Sequence, residues 1–143
     1  MRVVLDTNIW VSGLLWRGLP WRLLRLAALG QVVPCMAPEM LGELAEVQPY
    51  ERLRPRLQSL RLEAADLVSQ AMSLTTFFDV PSGPIIVSAD PDDDIFLRCA
   101  TEAIAVYVVS GDQHLLALKS YAGIPIMTVH DFLAAEFPEE IEL

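Results

Sequence analysis

Short apolar runs alternate along the chain with longer stretches in which apolar residues return every three or four positions. RVVLD opens the sequence as a β-branched run closed by an acid, the pattern of a buried strand. Across 10–28 the apolar residues recur at helical spacing, with a break around Gly18 and Pro20. QVVPCMA predicts a second strand, and PEMLGELAEV a helix with Pro38 at its first position and acids in its first turn. ERLRPRLQSLRLEAADLVSQAM predicts one or two helices, with Pro55 near a boundary. TTFFDV reads as a third strand, and PSGPIIVSADPDDD as turn-rich with a short extended piece. IFLRCATEA is helical, AVYVVSGD is a fourth strand, and QHLLALKSYAG predicts a short helix capped by Gly123. IPIMTV supplies a fifth strand and HDFLAAEF a last helix, begun near His130 and Asp131. Strands that alternate with helices pair in parallel and carry helices on both faces. The pattern therefore predicts a three-layer α/β/α sandwich around a central, mainly parallel five-stranded sheet.

Composition narrows the class. A chain of 143 residues without repeats, low-complexity tracts or long linkers predicts one domain over 1–143, large enough to bury a real core. Its apolar fraction is 53% and its mean hydropathy +0.39, yet Arg, Asp, Pro and Gly interrupt every run before it could span a bilayer. Asp6 and Asn8 also break the start as a signal peptide, so the expectation is a cytoplasmic protein with no membrane association. The surplus of apolar residues suggests a partner-facing patch as well as a core. Cys35 and Cys99 lie in apolar surroundings with no CxxC spacing and read as reduced core thiols. His114 and His130 form no HxxxH or HExxH pair, so a zinc site of that kind has no support.

The net charge is −9, from 19 acids against 10 bases, and this argues against a generally basic nucleic-acid binder. Nine of the bases are Arg and most fall between positions 17 and 61. Phosphate contacts belong in that segment if the chain makes any; otherwise those residues form a solvated helix face.

The placement of the acids carries more. Asp6 ends the first strand and Asp112 ends the fourth, in VVSGD. Ligands of open α/β sheets gather outside the carboxyl ends of the strands. Asp92, Asp93 and Asp94 open the helix that precedes the fourth strand, where one acid would suffice as a cap. Glu43 lies inside a helix, which alone would make it a solvated residue. An apolar strand ending in Asp, twice over, suggests a carboxylate cluster that either turns neutral or holds a cation. Oxygen ligands without Cys or His point to Mg²⁺ or Mn²⁺.

VVLDTNIWVSGLL, PEMLGELAEV, ADPDDDIFLRCATEA and VYVVSGDQHLLAL, in this order, resemble the PIN domain family, and within it the toxin components of toxin–antitoxin modules. The resemblance covers nearly the whole chain. It implies a metal-dependent ribonuclease with an acidic quartet of Asp6, Glu43, Asp94 and Asp112, which would hold Mg²⁺ or Mn²⁺. Asp94 matches the family position better than Asp92 or Asp93 by its spacing to Asp112, 18 residues on. Asp92 could still reach the metal through water. Asn8 and Ser110 match small polar positions that support the metal shell. His114 stands where relatives often carry a further acid, so one ion or two remain open. The resemblance also implies an RNA substrate, an antitoxin partner and a homodimer or higher homo-oligomer, with WVSGLLWRGLPWRLLRL (Trp10, Trp16, Trp21) as the candidate contact stretch. Two rivals differ in class. A haloacid-dehalogenase-like phosphatase would want a second acid where Asn8 stands and a Lys before the GD. A PIN-fold module that binds RNA or protein without cutting is the other.

Overall fold

The computed structural model describes residues 1–46, 51–81 and 91–141. Its elements follow the alternation of the sequence: β1 (Arg2–Leu5), α1 (Thr7–Leu15), α2 (Leu19–Ala28), β2 (Val33–Met36), α3 (Met40–Ala45), α4 (Arg54–Leu60), α5 (Ala64–Leu74), β3 (Thr76–Phe77), α6 (Pro91–Glu102), β4 (Tyr107–Val109), α7 (Gln113–Leu116), β5 (Ser120–Tyr121), β6 (Ile124–Met127) and α8 (Val129–Glu136), with a 3₁₀ turn at Pro138–Glu140. The sheet runs in the order β3-β2-β1-β4-β6-β5. Every pairing is parallel except β5 with β6. Val3, Val4 and Leu5 are all buried, and successive strand residues point to opposite faces. Both faces of the sheet are therefore covered, as the α/β/α expectation requires.

Among the described residues the sheet has six strands, not five. QHLLALKSYAG is helical only to Leu116, and Gly123 caps no helix. Instead Ser120 pairs with Pro125 and Tyr121 with Ile124 around a two-residue loop, Ala122-Gly123, with φ of 51° and 80°. Two positive φ values in such a loop are what a type I′ hairpin demands. Helical periodicity in LLAL hid this short edge hairpin. α3 starts at Met40 after a pair of tight turns, so Pro38 lies before the helix and not at its first position. The extended piece expected within PSGPIIVSADPDDD falls outside the described residues. ERLRPRLQSLRLEAADLVSQAM forms two helices, and Pro55 sits in the first turn of α4.

Close packing of α1 on α2 rests on Gly13. A Cβ there would meet Leu24 Cδ1 at 2.5 Å and the Pro20 carbonyl at 3.0 Å. Trp10 from the apolar segment is fully buried and belongs to the core, which removes it from the proposed contact stretch; Trp16 and Trp21 stay at the surface. Cys35 and Cys99 are buried free thiols, as expected. Burial, then the neighbouring Cys35, pushes the Cys99 thiol up to about 12 from 9.0. Among the described residues no helix is long and apolar enough to cross a membrane.

Candidate active site

β1 has β2 on one side and β4 on the other, so the chain turns outward from β1 in both directions. Such a switch point opens a crevice at the carboxyl ends of the two strands. Leu5 pairs with Val109 in parallel register, and the Asp6 N–H donates to the Val109 carbonyl at 3.0 Å. The residues that follow each strand, Asp6 and Ser110, thus share the floor of that crevice.

Both strand-end aspartates do the same local work. Asp6 is the N-cap of α1, its Oδ1 accepting the Asn8 N–H at 3.1 Å. Asp112 is the N-cap of α7, its Oδ1 accepting the His114 N–H at 2.7 Å. Capping and function are therefore not alternatives here, because a carboxylate can accept about four hydrogen bonds and a cap uses one. Ser110 joins the two. Fully buried, its Oγ donates to Asp6 Oδ2 at 2.6 Å and accepts the Asp112 N–H at 2.9 Å. Asp6 itself is only 7% exposed.

Glu43 on α3 accepts a hydrogen bond from Thr7 Oγ1 at 2.5 Å, which ties that carboxylate to the residue beside Asp6. Thr7 is the residue that sequence reasoning missed; its signal was the second polar position of LDTN. Asp94, 5% exposed, lies in the first turns of α6, a helix packed against β1, β2, β4 and α3. The side chains of Asp92 and Asp93 lie outside the described residues. Asn8 contributes its backbone N–H, while its side chain is exposed. Exposed His114 likewise contributes only its N–H. Among the described residues, no three His, Cys, Asp or Glu side chains come close enough together to hold one ion.

Much of the basic segment has structural partners. Arg22 and Arg25 bond to Glu140, and Arg56 Nε donates to the Leu15 carbonyl at 2.8 Å.

Fold and site together describe an α/β protein whose topological switch point carries the linked Asp6, Ser110 and Asp112. The sequence profile of the PIN domain matches residues 2–114, a span that holds Asp6, Glu43, Asp94 and Asp112, and the chain belongs to the PIN domain family. Members of that family are generally nucleases that depend on divalent metal, which makes this chain a nuclease-type module rather than a dehalogenase-like phosphatase. No curated protein matches the sequence.

Proposed function

We propose that this protein is an endoribonuclease that hydrolyses RNA phosphodiester bonds with Mg²⁺ or Mn²⁺, working in the cytoplasm as the toxin of a toxin–antitoxin module. The observation that carries the catalytic part is the Asp6–Ser110–Asp112 linkage at the β1/β4 switch point. Burying a carboxylate at a strand end is costly, and a hard cation offsets that cost. Asp6, Asp94, Asp112 and Glu43 offer oxygen donors only, which suits such an ion. Mg²⁺ is commonly held by one or two carboxylates together with waters and substrate phosphates. A crevice without a three-carboxylate cage therefore still fits it.

In this reading Asp6, Asp94 and Asp112 would hold the ion, with Glu43 completing the pocket. Such an ion, when bound, would supply a water of lowered pKa and positive charge to offset the negative charge developing on the phosphate. Ser110 orients the Asp6 carboxylate, and Thr7 holds that of Glu43. The Asn8 and His114 N–H groups fix the two caps. No side chain serves as a covalent nucleophile. The toxin role, the antitoxin and the homodimer draw on the resemblance of the four motifs. Growth arrest on expression of the wild type but not of Asp6→Asn would support the toxin role.

The direct test is cleavage of a total RNA pool with Mg²⁺ or Mn²⁺, wild type beside Asp112→Asn, with the fragment ends mapped. Cutting that disappears in the variant supports the reading; equal cutting by both ends it. The absence of a three-group cluster among the described residues favours a second reading, a PIN module that binds without cutting. Calorimetry with Mn²⁺ separates the two, because a silent site would take up no ion.

A further inference from the structure

No acid occurs between Asp6 and Glu39, although the whole chain carries −9. That stretch contains the corner where α1 gives way to α2, and side chains of opposite character to the crevice gather there. Trp16, the C-cap of α1, is 42% exposed, and the Arg56 guanidinium reaches over its ring from α4 at 5.8 Å. Arg17 follows directly and lies over the Trp21 ring at 5.3 Å. Arg25, one helical turn further on, lies over the same ring at 5.2 Å with 45% of its side chain exposed. The result is two contacting sets, Arg56–Trp16 and Arg17–Trp21–Arg25, joined at the Trp16–Arg17 peptide into one basic corner. Glu140 offsets only part of its charge, through Arg25.

Aromatic rings interleaved with fixed cations suit a single-stranded nucleic acid. The exposed Trp16 ring offers a surface on which a base can stack, and phosphates can meet the guanidiniums held there and on Trp21, without regard to sequence. Trp and Arg also serve protein interfaces, so it is the run of cations without any acid that favours a polyanion over a protein here. Charge complementarity thus favours a polyanion at this corner, on a protein whose overall charge repels one. The corner and the crevice lie at opposite ends of the nine-residue α1, about 14 Å apart. A strand several nucleotides long reaches both.

We propose that the Trp16–Arg17–Trp21 corner, with Arg25 and Arg56, is an accessory docking platform for single-stranded RNA, separate from the acidic crevice. This rests on the ribonuclease reading for the identity of the strand but not for the binding itself. The test is fluorescence anisotropy of a labelled 20-nucleotide RNA with the full chain, in EDTA so that no cleavage occurs. Trp16→Ala should weaken binding roughly tenfold. Arg17→Glu should weaken it too, and should flatten the dependence of log Kd on log salt by about 0.7 for each phosphate that the protein no longer neutralises. Trp16→Phe should bind close to wild type, because a ring remains. Arg17 is exposed, so Arg17→Glu keeps the test open even if Trp16→Ala fails to fold. Weakened binding in these variants supports the platform whether or not the wild type cuts RNA. Unchanged binding by both Trp16→Ala and Arg17→Glu overturns it and leaves the corner to a protein partner.

Discussion

At its N-terminal end α1 meets a buried carboxylate held by a serine hydroxyl and a backbone N–H; at its C-terminal end it meets an exposed indole and two arginines. The helix dipole suits both arrangements. Its positive end stabilises Asp6 and its negative end the Arg56 guanidinium, which also bonds to the last helical carbonyl, that of Leu15. The acidic end is built from short side chains with single hydrogen-bond geometries, so it is rigid and intolerant of change. The basic end is built from long side chains laid on rings, where removal of one group leaves others in place. Precise chemistry and tolerant binding need these two kinds of construction.

The largest expected effect lies at the acidic end. Asp6→Asn should lower cleavage by more than the roughly 100-fold that loss of a supporting residue costs, with the α1 cap retained through the amide oxygen. Rates on RNA, together with an unchanged circular dichroism spectrum, check this. Ser110→Ala should reduce cleavage about 10–100-fold and also destabilise the fold by about 1–3 kcal/mol, because a buried Asp6 oxygen loses its donor. Urea titration measures the second figure. If Ser110→Ala proves as stable as wild type, the acidic end is less rigid than described.

Smaller effects should follow between and beyond the two ends. Gly13→Ala should cost about 1–3 kcal/mol, since the added methyl collides with Leu24 where α1 packs on α2 and carries the basic corner. Arg56→Ala should cost about 1 kcal/mol and leave the cleavage of a dinucleotide unchanged. Away from the helix, Ala122→Gly should stabilise the β5–β6 hairpin by less than about 1 kcal/mol, because Ala holds a left-handed conformation there.

A pH series gives an independent check on the buried core. Below about pH 9 Cys99 is protonated in both the folded and the unfolded chain, so its contribution to stability is fully present. As pH rises from 9.0 towards about 12 the unfolded chain loses this proton and the folded one keeps it, and that contribution is lost. The loss is at most tenfold in the folding equilibrium per pH unit for this thiol. Cys35, raised by burial, and Tyr107, raised by its hydrogen bond to Glu136, add to the same alkaline loss. Cys99→Ala should therefore flatten the slope above pH 9, whatever its effect at neutral pH, as read by thermal melts across the series.

Much of this could be read from the chain alone, because period and composition act locally. A short β-branched run such as Val3-Val4, closed by a polar residue, favours a buried strand, and a strand that ends in Asp before a new helix supplies its own cap, as Asp6 and Asp112 do. The β5–β6 hairpin could not be read so easily, because two-residue strands carry no period and LLAL mimics a helix. Nor could the fate of the tryptophans, since Trp10 and Trp16 have the same local character and packing alone buries one and exposes the other. Backbone propensity and periodicity, both written in the order of residues, supply the oxygen donors and put them at strand ends and helix starts. Three-dimensional packing sets β4 beside β1, so that Ser110 bridges residues more than a hundred positions apart, and brings Thr7 to Glu43. Strand order depends on the burial of whole faces, and no local pattern encodes it.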